Sequence, residues 1–169
     1  IQVVVAGSAT VPGVYQLPPG STLLTALSEC GGPSKIGTYR DIKLKRGGGD
    51  EAVTADLYEL LNAGDREWDV ELENGDTIWI RKRGAQVRVD GKVKHKAYYE
   101  LKESTSISTL MGWAGLLGSS FTDHINIERF RGGAKREVVT IEKRDWSVGS
   151  KGLLEDGDRI EVAQISDLV

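Results

Sequence analysis

The pattern of residues between Val11 and Gly32 recurs in looser form between Ala97 and Gly115. Tyr15 and Leu17 are answered by Tyr99 and Leu101. The apolar set Leu23, Ala26, Leu27 and Cys30 is answered by Ile107, Leu110, Met111 and Ala114, each pair 84 positions apart. Further along, Ile42, Leu44 and Arg46 return as Ile125, Ile127 and Arg129, and Asn74-Gly75-Asp76-Thr77-Ile78 returns as Asp156-Gly157-Asp158-Arg159-Ile160. A shared order of this length is hard to obtain by chance, so the chain reads as two copies of one domain. The 169 residues divide into 1–83 and 84–169, each half small but long enough to fold alone.

Within the first copy, Val3 to Val5 form a β-branched run closed by Ala6-Gly7-Ser8, and Pro12-Gly13 turns the chain into Val14-Tyr15-Gln16-Leu17. This predicts a β-hairpin. Pro18-Pro19-Gly20 breaks the second strand, and Ser21 or Thr22 is placed to cap a helix by accepting a hydrogen bond from a free backbone N–H. Leu23, Ala26, Leu27 and Cys30 share one face of that helix, of about two and a half turns, before Gly31-Gly32-Pro33 ends it. Asp41 to Arg46 alternate charged and apolar residues with period two, as a strand does with one face on a core and one in water.

Gly47-Gly48-Gly49-Asp50 then turns the chain toward Ala52-Val53-Thr54. Leu57, Leu60 and Leu61 suggest a short helix or turn, and Asn74-Gly75-Asp76 leads into a closing strand, Thr77-Ile78-Trp79-Ile80, with Ile78 and Ile80 facing one way. Strands, helix and strands in this order describe an α+β fold, the ubiquitin-like β-grasp, in which a mixed sheet curls around one helix. Arg81-Lys82-Arg83-Gly84 is the joint. The second copy begins with Gln86 to Gly91, takes its helix cap from Ser104, Thr105 or Ser106, turns at Gly132-Gly133, returns along Val138 to Ile141 and closes with Ile160-Glu161-Val162.

Composition narrows the chemistry. A net charge of −3 supplies no general attraction to nucleic acid, which needs a concentrated positive field, so no nucleic-acid partner is expected. Gly47-Gly48-Gly49 lacks the Lys-Ser or Lys-Thr of a phosphate loop. His95, His124 and Cys30 show no metal-ligand spacing, and Cys30 takes a helix position filled by Ala114 in the other copy, which favours a core residue over a nucleophile. Asp156 and Asp158 could suggest acid–base work or a cation site; the matching Asn74-Gly75-Asp76 favours turn chemistry. No catalytic group, metal or cofactor is expected, and the chain is expected to be non-enzymatic.

The chain resembles the soluble-ligand-binding β-grasp (SLBB) domain in tandem, as in the periplasmic part of an outer-membrane polysaccharide export protein. The resemblance is carried by Gly7, by Val11-Pro12-Gly13-Val14-Tyr15 with Leu17, by Cys30-Gly31-Gly32, by Ile42 to Arg46 and by Asn74 to Ile78. The second copy departs from it at Lys96-Ala97 and Gly115-Leu116 but keeps the closing Leu154 to Ile160 signature. The resemblance implies a periplasmic module, associated with the outer membrane in its parent protein, that helps assemble a ring-shaped homo-oligomer and carry capsular or exopolysaccharide. Implied partners are the polysaccharide, other copies of the chain, and an inner-membrane polysaccharide co-polymerase or outer-membrane pore component. The alternative is a receptor domain for a small soluble ligand or carbohydrate. Starting at Ile1, the chain is expected to be a processed or truncated piece.

Comparing the copies position by position singles out a surface. Trp113 aligns with Glu29 and Trp79 with Glu161. Large aromatics at positions where the sister copy places a charge are expected to face outward, where they anchor a partner or stack on a sugar ring, or else to pack the seam between the domains. Arg81, Lys82 and Arg83 complete the candidate contact surface, either for an acidic polysaccharide or as a solvated joint.

Overall fold

The structure is a computed structural model that describes residues 1–47, 49–120, 122–132, 135–147 and 153–165. It contains two compact units, Ile1–Arg83 and Gly84–Val169. The first holds β1 (Gln2–Gly7), β2 (Gly13–Gln16), α1 (Leu23–Glu29), β3 (Gly37–Arg46), β4 (Asp50–Ala55), α2 (Leu57–Ala63) and β5 (Thr77–Lys82). Its five strands run in the order β2-β1-β5-β3-β4. Only the β1–β5 pair is parallel, and it brings the first strand beside the last.

Local chemistry sets these elements. Thr22 caps α1, its hydroxyl accepting from Thr25 N, and Gly31 and Gly32 leave the helix with positive φ, a region that costs glycine little. The helix is about two turns long, shorter than its apolar spacing suggested, because Cys30 already serves as the C-cap. Cys30 is nevertheless fully buried with Leu23, Ala26 and Leu27, and these four pack with Val3, Val5, Ile42, Leu44, Ile78 and Ile80 in one core. The segment after β4 resolves into a helix, α2, capped by Asp56 and ended by Gly64 in the left-handed conformation. The third strand starts four residues before the alternating stretch, at Gly37, with an irregularity between Gly37 and Ile42.

The second unit repeats this plan with β6 (Gln86–Gly91), β7 (Ala97–Glu100), α3 (Ile107–Ala114), β8 (His124–Arg131), β9 (Lys135–Glu142) and β10 (Arg159–Val162). Its strand order, β7-β6-β10-β8-β9, is the first unit's order strand for strand. A 3-10 turn, Lys143–Asp145, follows β9 where the first unit has α2. Ser106 caps α3 through Thr109 N, and Ile107, Leu110, Met111 and Ala114 are its buried residues. Smaller details recur too: Tyr15 donates to the Val11 carbonyl and Tyr99 to the His95 carbonyl. Two five-stranded mixed sheets and three helices make this a tandem of β-grasp folds. Gly48 and Gly133, to which the turn expectations extend, lie outside the described residues.

Candidate binding face of the first unit

In a strand, alternate side chains point to opposite faces, so the buried residues of β1, β3 and β5 define an outer face by exclusion. Strand pairing assembles that face in rows. One row is Val14, Val4, Thr77, Lys45 and Glu51, and the next is Ala6, Trp79, Lys43 and Thr54. Trp79 sits near the middle of the sheet with 39% of its surface exposed, whereas Ile78 and Ile80 on either side are fully buried. Val4 and Val14 are also exposed, at 37% and 60%.

Gly7 makes room for the indole. Its φ of +83° is in the region glycine favours, and a Cβ there would lie 2.2 Å from the Ile80 carbonyl oxygen and 2.9 Å from Trp79 Cδ1. The ring therefore leans over bare β1 backbone. Two cations flank it: Lys45 Nζ is 4.8 Å and Arg81 Cζ 5.7 Å from the ring centre, both within cation–π range.

The carboxylates of the face are committed elsewhere. Asp41 accepts from Arg81 Nη1 at 2.6 Å and pairs with Lys43 at 3.1 Å, while Glu51 takes Lys43 at 2.7 Å and the Thr54 hydroxyl at 2.8 Å. Partial burial pushes the Asp41 carboxyl up, but the hydrogen bonds and charges of Lys43 and Arg81 outweigh it and hold the group below the usual carboxylate range. The Lys43 hydrogen bond likewise lowers Glu51, and the Glu51 hydrogen bond raises Lys43. Two anions thus answer Lys43 and Arg81. Among the described residues Lys45 makes no ion pair, and its one recorded partner is the Trp79 ring.

The equivalent face of the second unit is built differently on the same register. Pairing sets Glu161 beside Asp90 and Asn126, as Trp79 is set beside Ala6 and Lys43. There Arg88 grips Asp90 through Nε and Nη2 at 3.1 and 2.9 Å, and Arg159 reaches the same carboxylate at 3.1 Å. The Arg88 hydrogen bonds hold Asp90 low against the effect of burial, with Arg159 adding to them. Glu128 is paired by Arg136, and the ring of Tyr98 covers Arg88 at 5.0 Å. Charges on this face answer one another.

Not all expected contact residues converge. Arg81 joins Trp79 on the outer face. Lys82, next along the strand, has the opposite parity, and Arg83 lies just past the end of β5. Trp113 belongs to the second unit, where it is half-buried and stacks on Tyr99 at a centroid distance of 6.3 Å. Glu29 and Glu161, the charged counterparts of the two tryptophans, are both exposed. The face also contains a residue the sequence did not single out: Lys45 lies two positions from Lys43 in the alternating strand, but its nearness to Trp79 depends on the β3–β5 register.

Residues 2–55 match the model of the SLBB domain. The match lies wholly within the first unit. The matched stretch runs from β1 to the end of β4, so Trp79 and Arg81 lie beyond it, while Lys43 and Lys45 fall within it. No curated protein matches the chain. SLBB domains are binding domains, and the buried Cys30 fits that character: burial pushes its thiol pKa up, away from the thiolate a nucleophile requires.

A second constellation is duplicated in both units and is structural. Arg46 reaches the Glu71 carbonyl at 2.6 Å, Glu73 at 3.1 Å and Asp76 at 3.5 Å. Arg129 reaches the Leu153 carbonyl at 3.0 Å, Glu155 at 2.9 Å and Asp158 at 2.7 Å. Asp76 and Asp158 each also accept from a backbone N–H three residues earlier, which closes the turn before the last strand. This confirms turn chemistry for the Asp156-Gly157-Asp158 motif. In the first unit the arginine borders a cleft of about 450 Å³ lined by Arg46, Val70, Glu71, Leu72 and Glu73.

Proposed function

We propose that this chain is a non-enzymatic, periplasmic module of a polysaccharide export protein. The SLBB match within a tandem of two β-grasp units carries the proposal: a binding domain duplicated on one register is suited to building a wall or collar rather than a reaction chamber. In this reading the second unit is a diverged SLBB domain. The parent protein associates with the outer membrane and repeats its units head to tail, since a heterologous contact that closes gives a ring. The ring conducts capsular or exopolysaccharide received from an inner-membrane co-polymerase, opening through the parent itself or a separate pore component.

The test is genetic and chemical together. Deleting the segment encoding residues 1–169 from the parental gene should remove polysaccharide from the cell surface and leave it inside the envelope, with restoration by the intact gene. Unchanged surface polysaccharide in the deletion strain would sink the proposal.

A further inference from the structure

We infer that the outer face of the first sheet is the docking site of an acidic glycan, a pyranose chain bearing uronate carboxylates, with one sugar ring against the Trp79 indole and its carboxylate on Lys45. The inference deepens the export reading and rests on it for the source of the glycan. Its chemistry comes from the face itself.

Three observations carry it. First, the indole lies near the middle of the sheet, held over the bare backbone of Gly7 with Ala6 beside it. A broad apolar plate of this kind suits the C–H face of a pyranose. Second, the charge left over on this face is positive and sits next to that plate. Asp41 and Glu51 are spent on Arg81 and Lys43, so a carboxylate arriving at Lys45 displaces no ion pair. A uronate carries its carboxylate directly on the ring that stacks, which places the charge beside the indole, and Lys45 Nζ stands 4.8 Å from the centre of the indole. Third, the second unit shows what the fold needs without a ligand. At the positions of Trp79, Lys45, Lys43 and Val4 it carries Glu161, Glu128, Asn126 and Arg88 on the same register. Each of those charges has its own ion-pair partner, Arg88 with Asp90, Glu128 with Arg136 and Glu161 with Arg159. The indole and the excess cation are therefore additions to the fold and not requirements of it.

The test uses the 169-residue chain, with oligogalacturonate as the acidic probe and a maltooligosaccharide of equal length as the neutral one, read by calorimetry and tryptophan fluorescence. Oligogalacturonate should bind, weaken with salt and perturb the fluorescence; the neutral oligomer should bind far more weakly. Trp79→Ala should weaken uronate binding roughly tenfold or more, with Trp79→Phe recovering part of the loss. Lys45→Gln should weaken it about two- to fivefold and reduce the salt dependence, while Trp113→Ala should leave it unchanged. Trp79 is exposed and Lys45 lies outside the core, so the thermal midpoint serves as the check on folding.

Absence of uronate binding by the wild-type chain overturns the inference. So does equal affinity for both oligomers, or unaltered binding in a folded Trp79→Ala chain, including the case in which this face captures a protein instead. Export lost on deletion without uronate binding removes this inference and leaves the export reading standing; uronate binding with export intact does the reverse.

Discussion

Gly7 and Gly91 occupy the same place in the two units and are required there for the same reason. Each has positive φ, +83° and +86°, and in each a Cβ would lie 2.2 Å from a carbonyl oxygen of the neighbouring closing strand, Ile80 or Val162. The next residue's N–H donates to that same carbonyl, Ser8 to Ile80 and Lys92 to Val162. The backbone approach is therefore a hydrogen-bonded crossing that a side chain would push apart. Gly7→Ala and Gly91→Ala should each destabilise their unit by roughly 2–4 kcal/mol, read as a drop in the urea midpoint. Gly7→Ala should also disturb Trp79 fluorescence, since the added methyl meets Cδ1, and Gly91→Ala has no such ring to meet. Equal stability of either variant and wild type would mean the crossing is looser than its distances indicate.

At the scale of elements, the arginine at the end of the third strand ties that strand to the turn before the last one. The two copies of this tie differ in quality. Arg129 meets Asp158 with two charge-assisted hydrogen bonds, Nε to Oδ1 at 2.8 Å and Nη2 to Oδ2 at 2.7 Å, and both side chains are buried. Arg46 Nε stands 3.5 Å from Asp76 without forming a hydrogen bond, and the arginine keeps about a third of its side chain exposed. Removing one partner of a buried pair leaves an uncompensated charge. Arg129→Met should thus cost about 3–5 kcal/mol, and Arg46→Met markedly less, measured by chemical denaturation; the reverse order would show that the exposed arginine is the stronger tie. The sequence contained half of this constellation. Arg46 and Arg129 stood out as repeats, as did Asp76 and Asp158, but partners some thirty residues apart are joined only by the sheet register. The same holds for Lys45 and Trp79. By contrast, the capping hydroxyls, the helix stripe and the alternating strand were legible because each depends on neighbours within one or two turns. The early start of β3 at Gly37 was not, because an irregularity breaks the period there.

For the whole molecule, the decisive sequence signal was the repeat, since it constrains two folds at once and each copy checks the other. Position-by-position comparison placed Trp79 opposite a glutamate, and strand pairing sets them in equivalent places. It could not say that Trp113 would lie against Tyr99, because side-chain stacking depends on the approach of α3 to β7. The chain also changes allegiance abruptly. Arg83 N donates to the Ile36 carbonyl of the first unit, and Gly84 N to Glu100 of the second. Each unit has its own five-stranded sheet and its own buried helix face. A unit about half the length of this chain buries on the order of 60% of the surface it exposes when unfolded, enough for many domains to stand alone. Residues 1–83 and 84–169, expressed separately, should therefore each give a dispersed amide spectrum and a cooperative urea transition. A half that shows neither would mean its core is completed by the other half, and the reading of two independent β-grasp domains would have to be given up.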